Sequence, residues 1–149
     1  MRRASALLAV ALALLPLQPA SAGDPGTVTG TVLMEAMTLT LSLDRDSVEA
    51  GKKAAATAVV RNLGSQKLTS VTATLQGASV VRMYPSPTRS TPSIKPYGSW
   101  TTRWDVCSMV PGNYVLLVSA SGSYPEASFT TESTAALLTI RPGKAKGCP

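Results

Sequence analysis

The chain has 149 residues, 14 Lys/Arg against 8 Asp/Glu, and no histidine. Without histidine there is no Ser-His-Asp or Cys-His arrangement and no ordinary zinc or copper ligand set, so catalysis of those kinds is excluded from the start. The formal charge of +6 is spread over scattered basic residues rather than gathered on one helix or Arg-Gly-aromatic segment, which argues against a nucleic-acid footprint.

The N-terminus reads as an export signal. Arg2 and Arg3 precede the apolar run "LLAVALALLPL" from Leu7 to Leu17, and Ala20-Ser21-Ala22 follows as a small-residue cleavage site. A membrane span needs about 20 apolar residues, so this run, broken by Pro16, is too short to be one. Residues 1–22 are therefore expected to leave before Gly23, with no stable membrane insertion afterwards. Removing 22 of the 149 residues leaves 127, enough for one compact domain, and the loss of Arg2 and Arg3 lowers the formal charge from +6 to +4. Residues 23–37 are an N-terminal extension or first strand, in which Val28, Val32 and Met34 share one phase of an alternation.

Thr38 to Leu43 alternates strictly in the opposite phase, placing Leu39, Leu41 and Leu43 on one face. The switch near Glu35-Ala36 predicts a bulge, or a first strand that changes sheets. "DRDSVEAGKK" follows as a polar turn. Its carboxylates Asp44, Asp46 and Glu49 resemble a Ca²⁺ loop, but Arg45 between them and Lys52-Lys53 after them favour a solvated turn. In Ala54 to Arg61 the alanines alone would give a helix. The alternation of Ala56, Ala58 and Val60 against Thr57, Val59 and Arg61 favours a strand. Asn62-Leu63-Gly64 then reads as punctuation, since Asn and Gly tolerate left-handed backbone. Val71, Ala73 and Leu75 alternate in the next strand.

Residues 82–98 contain four prolines, which exclude a central strand. They form a long connection, with a short edge strand near Val80-Val81. Trp100, Thr102, Trp104 and Val106 share a face, and "VPGNY" turns the chain into Tyr114, Leu116, Val118 and Ala120. A polar loop, 121–133, precedes a last strand from Thr134 to Ile140. About seven short strands with regular turn signals predict an all-β, antiparallel Ig-like β-sandwich over residues 38–141, with 142–149 as a tail. Cys107 and Cys148 in an exported chain predict one disulfide, provided the fold brings them together.

"SVEAG", "RNLG", "IKPYGSWTTRWDV" and "VPGNYVLLVSASG" together resemble the bacterial cell-adhesion-related Ig-like domain (CARDB) and its NPCBM-associated relatives. Gly51, Asn62-Leu63-Gly64, Pro96-Tyr97-Gly98, Trp104 and Pro111-Gly112-Asn113-Tyr114 occupy that family's turn and strand positions. The residue between Pro96 and Gly98 and the Pro-rich segment depart from it. The resemblance implies a non-catalytic accessory module on an exported protein. In such a fold Tyr114 is placed for a tyrosine-corner contact, and the last strand ends at the same pole as Cys107, which makes a Cys107–Cys148 bridge geometrically sensible.

Two ligand readings remain. Tyr84, Tyr97, Trp100 and Trp104 are the aromatic set. Trp104 reads as core, and Met34 and Met37 as core filler rather than copper ligands. Tyr97 and Trp100 beside the Pro-rich loop make a candidate carbohydrate-binding platform. Alternatively, loop 84–93 would offer Arg89 to a trypsin-like pocket, as in a small exported proteinase inhibitor. The main expectation is an exported module, secreted or held at the cell envelope, with an envelope protein or polysaccharide as partner and no cofactor. Its candidate contacts are Tyr84, Arg89, Tyr97 and Trp100. The C-terminal segment has no apolar tail, so retention at the envelope would depend on that partner. Asp105 and Glu126 have no evident partner for acid–base work.

Overall fold

The computed structural model describes residues 30–33, 36–131 and 134–148, so the expected signal segment 1–22 lies outside the described residues. The described residues form eleven strands: β1 (Gly30–Leu33), β2 (Met37–Leu43), β3 (Ser47–Glu49), β4 (Ala54–Asn62), β5 (Leu68–Gln76), β6 (Val81–Tyr84), β7 (Thr88–Ile94), β8 (Ser99–Ser108), β9 (Gly112–Tyr124), β10 (Ala127–Thr130) and β11 (Thr134–Arg141). One sheet has the order β1-β2-β4-β8-β6 and the other β3-β11-β9-β5-β7, with β10 pairing β9. All pairings are antiparallel except β3 with β11. The fold is an Ig-like β-sandwich.

Alternation decides which side chains enter the space between the sheets. Leu39 and Leu41 of β2, Ala56, Ala58 and Val60 of β4, and Trp104 and Val106 of β8 are buried from the first sheet. Val71, Ala73 and Leu75, Leu116 and Val118, and Leu138 and Ile140 meet them from the second. The alanines of β4 have a packing reason. Ala56 lies opposite Trp104 in the register, and a small side chain there leaves room for a fully buried indole. The indole N–H is not stranded, because it donates to the Ser86 carbonyl at 2.8 Å.

The structure corrects three expectations. β1 and β2 pair antiparallel as neighbours in one sheet, with Leu33 opposite Thr38, so the phase switch between them is a strand reversal rather than a bulge or a change of sheet. The polar segment 121–133 is largely strand: β9 continues to Tyr124 and β10 returns along it. In the Pro-rich segment the expected short edge strand is present as β6, but the rest is not a plain connection, since it supplies β7 to the edge of the other sheet. Proline is tolerated there because both strands lie at edges. The Leu75 N–H bonds the Pro87 carbonyl at 2.9 Å, which sets the phase of the β5–β7 ladder. Arg89 and Thr91 therefore turn their backbone groups to β5, while Thr88, Ser90 and Pro92 turn theirs outward. Pro92 thus lacks its N–H where no ladder partner needed it.

The other pole is closed by the C-terminal tail. Ala50 N–H donates to the Arg141 carbonyl and Gly51 N–H to the Ser108 carbonyl, at 2.8 and 2.9 Å. Gly51 has φ +80°, and a side chain there would run into Ala145. Cys107, fully buried on β8, bridges to Cys148 across a Cα–Cα distance of 5.9 Å, closing a loop of sequence separation 41. Tyr114 completes this end as expected, its hydroxyl donating to the Val110 carbonyl at 2.9 Å.

Reduction of the bridge, or Cys148→Ser, should lower unfolding free energy by about 2–4 kcal/mol, because a long loop is released in the unfolded chain. Urea midpoints with and without reductant measure this. Coincident midpoints would show that the bridge contributes nothing to stability.

Candidate functional site

The pole opposite the tail is built around one side chain. Asn62, the last residue of β4, is completely buried. Its amide nitrogen donates to the Gln66 carbonyl at 2.7 Å and lies 3.3 and 3.2 Å from the carbonyls of Ile94 and Lys95. Its amide oxygen accepts the Gly64 N–H at 2.9 Å and the Tyr124 hydroxyl at 2.6 Å. The backbone adds Asn62 N–H to Gly98 O and Leu63 N–H to Ala36 O, both 2.9 Å. One amide thereby ties together the β4–β5 connection, the β7–β8 turn and the end of β9. A buried amide requires such partners, since each one lost leaves a desolvated polar group.

This changes the reason for Asn62-Leu63-Gly64. Asn62 has strand geometry and Gly64 is not among the residues with positive φ, so neither serves a left-handed corner. Gly64 is required by close approach: a Cβ there would collide with the Tyr124 hydroxyl. Two non-glycine residues among the described residues are left-handed, Ser70 in the β5 irregularity with φ +52° and Tyr97 with φ +56°, and only Tyr97 carries a bulky side chain. It sits in the tight turn closed by Gly98 N–H to Lys95 O at 3.0 Å, and its own N–H reaches Gly64 O at 3.3 Å. An L-residue with a bulky side chain pays roughly 1–2 kcal/mol to occupy that region. Tyr97 is also 65% exposed, the most open of the large hydrophobic side chains among the described residues, so packing does not explain the choice of residue.

Beside the clamp lies a depression of about 350 Å³ lined by Gln66, Tyr124, Pro125, Glu126 and Ala127. Tyr124 is its wall. Its ring packs edge-on against Phe129, centroids 5.2 Å apart, while its hydroxyl is held by Asn62. The pole therefore combines a rigid floor, an exposed aromatic ring and a rim with carboxylate, amide and backbone groups. It can offer surface contact and hydrogen bonds. Among the described residues it has no nucleophile–base pair.

The four candidate contact residues do not form one platform. Tyr97 and Trp100 belong to this pole, but Trp100 points inward on the Trp104 face of β8 and packs half-buried against the core. Tyr84 lies opposite Asp105, five positions further along β8 and on the outer face, roughly 17 Å away at the usual strand rise. Arg89 lies on β7 opposite Ala73, with its backbone bonded to β5. A protease-binding loop needs that backbone unpaired, so the structure removes the open loop that the inhibitor reading required.

Around Tyr84 a second cluster forms. With Pro85, Arg103 and Asp105 it lines an open groove of about 440 Å³. Asp105 does have partners, Lys53 at 3.6 Å and Arg103 at 3.9 Å. All three side chains are well exposed, so each pair contributes at most about 1 kcal/mol. The Lys53 ammonium stands 6.0 Å from the Tyr84 ring centre, at the outer limit of a cation–π contact. Of the acidic turn, Asp44 accepts the Ala55 N–H at 2.6 Å and lies 3.7 Å from Arg45.

Gln66, Tyr124 and Glu126 were not among the sequence-derived candidates. The available signal was the alternation Ser119, Ser121, Ser123, which continues β9 up to the Tyr124-Pro125-Glu126 turn. For Tyr124 no sequence signal pointed to Asn62, 62 residues away in the chain.

No protein-family model matches the chain, and no curated protein matches it. Solved structures do. The GAE domain of yeast GGA1 superposes with TM-score 0.55 at 11% identity, covering 73% of this chain and 98% of that one. Part of Escherichia coli alpha-2-macroglobulin in its native conformation matches with TM-score 0.54 at 11% identity, over 73% of this chain and 8% of that chain. The GAE domain of GGA2p from Saccharomyces cerevisiae gives 0.49 at 10% identity, over 74% and 97%. For the first two, at 11% identity, the likeness is one of fold, and it agrees with the Ig-like sandwich described above.

Asn62→Ala should destabilise the protein by about 2–3 kcal/mol and Tyr124→Phe by about 1–1.5 kcal/mol. The double variant should lose less than the sum, because the two side chains share a bond. Additive losses in denaturant unfolding would contradict the clamp. Tyr97→Gly should raise stability by up to about 1 kcal/mol by relieving the left-handed tyrosine. A loss on this substitution would mean that the exposed ring contributes packing.

Proposed function

We propose that this protein is an exported, non-catalytic Ig-like module that binds a protein or polysaccharide partner at or beyond the cell envelope. The contact surface is the Asn62-organised pole, with Tyr97 at its centre. The observation that carries this reading is Tyr97 itself: a large aromatic side chain held open to solvent on a strained corner, above a floor fixed by a buried amide. Strain of this kind is retained where the residue serves something other than stability. A preorganised rim also lowers the ordering cost of binding.

Export is supported by the signal pattern of residues 1–22 and by the disulfide, which belongs to oxidising compartments. The motif positions shared with the cell-adhesion-related Ig-like domains support an accessory role. The GAE domains and alpha-2-macroglobulin add that this architecture occurs both as a domain solved alone and as part of a much larger chain.

Co-sedimentation of the mature protein with its own cell envelope, at low and high salt, tests the proposal. Binding should survive high salt, fall at least about tenfold in Tyr97→Ala, which corresponds to 1.4 kcal/mol of lost contact, and persist in Arg89→Ala. Trp100→Ala is a poorer probe, because Trp100 also packs against the core. Binding that salt abolishes would assign the attraction to charge alone. No sedimentation at either salt would overturn the envelope reading.

A further inference from the structure

Residues 85–93, "PSPTRSTPS", hold five hydroxyl residues and three prolines in nine positions, with one charged residue. Composition of this kind marks O-glycosylated segments in exported chains. The structure adds what composition lacks. Ser86, Thr88 and Ser90 are exposed, and Thr91 and Ser93 are half-buried. Of the five hydroxyls only that of Thr88 has a protein partner among the described residues, Thr74 at 3.2 Å. The backbone is held extended on one side only. β7 bonds β5 through Arg89 and Thr91, whereas Thr88 and Ser90 present their N–H and C=O groups to solvent. The Trp104 indole pins the segment's start through the Ser86 carbonyl.

The exposed Arg89 adjoins Ser90 in the chain, but the cross-strand neighbours of Ser90 carry hydroxyls. Across the sheet Ser90 is in register with Thr72, and Thr72 with Ser121, whose hydroxyls lie 2.7 Å apart. Thr88, Thr74 and Ser119 form the neighbouring row. Within each row neighbouring residues are one strand spacing apart, roughly 4.8 Å, and the two rows are offset by two residues along the strands, roughly 6.7 Å.

We propose that β7 and its approach are an O-glycan acceptor, with Ser90 and Ser86 as the principal sites, and that the attached sugar lies over the Thr72–Ser121 rows. This rests on the export part of the reading above, and it is independent of the Tyr97 pole. In the transfer, the serine Oγ attacks the anomeric carbon of a lipid-phosphate-activated sugar supplied outside the cytoplasm. A new C–O bond forms, the anomeric C–O bond to phosphate breaks, the lipid phosphate leaves with the electron pair, and the hydroxyl proton passes to a base of the transferase. The outward backbone groups of Thr88 and Ser90 give that enzyme an extended strand to hold. Afterwards the glycan covers the open edge of the sheet, which otherwise invites strand addition from another chain.

The test is mass spectrometry of the protein recovered from its native host, as intact chain and as the peptide spanning residues 85–93. The expected result is a mature chain beginning at Gly23 whose 85–93 peptide carries hexose-sized increments. These increments should fall several-fold in the Ser86→Ala/Ser90→Ala double variant and return in Ser86→Thr/Ser90→Thr. Both residues are exposed, and the urea midpoint of the double variant should match the parent. An unmodified 85–93 peptide on a chain that begins at Gly23 overturns the acceptor proposal alone. An unmodified peptide on a chain that retains residues 1–22 overturns the export reading with it. Sugar found only on other peptides also overturns the acceptor proposal.

Discussion

A single buried carboxamide organises one end of this molecule. Asn62 lies at the end of a strand, where the ladder stops and backbone groups of three connections converge without partners in regular structure. Its two N–H hydrogens and two oxygen lone pairs take up carbonyls from Gln66, Ile94 and Lys95, the Gly64 N–H and the Tyr124 hydroxyl. An aspartate of the same shape would lose the donors, and a leucine would leave the whole set desolvated. The connections at this pole are therefore part of the scaffold, and the Tyr97 turn inherits that rigidity.

The opposite pole is closed by different means. There the C-terminal tail crosses Ala50-Gly51 and is held by the Cys107–Cys148 bridge. Between the poles the core is aliphatic, with one large aromatic, Trp104, accommodated by the alanines of β4. A core of small side chains gives limited stability per residue, which is consistent with a covalent staple at one end and a hydrogen-bond clamp at the other. The sheet edges are handled by composition. β6 and β7 are short and proline-flanked, and Pro92 stands at an outward position of the β7 ladder, where it removes a donor from the exposed edge.

Much of this was legible in the sequence because period-two alternation survives wherever one face is buried. It placed Leu39 and Leu41, the β4 alanines, Trp104 and Leu116 correctly. Tyr97 was placed at the surface on other grounds, its position beside the Pro-rich loop, and it is exposed. Alternation failed where it is weak or masked. β7 buries only Ile94 and has no apolar face to read, and β10 is similarly polar, so both looked like loop. The phase switch before β2 was visible, but a strand reversal and a bulge produce the same break in phase. Asn62 was read through the backbone habits of its residue type, whereas its role comes from long-range bonds that no local pattern encodes. The candidate contacts scattered for the same reason: aromatic type was visible, but which face of which strand carried each ring depended on register.

The account's central claim is that contact with the partner is made through the Asn62-held pole. The most direct measurement is amide chemical-shift mapping of the labelled mature protein during titration with solubilised material from its own envelope. The account predicts that the shifted amides cluster at Gly64, Gln66, Tyr97, Gly98 and Glu126 and leave the Arg82–Tyr84 strand and the C-terminal tail in place. Shifts centred on Tyr84, Arg103 and Asp105, with the pole unmoved, would contradict it.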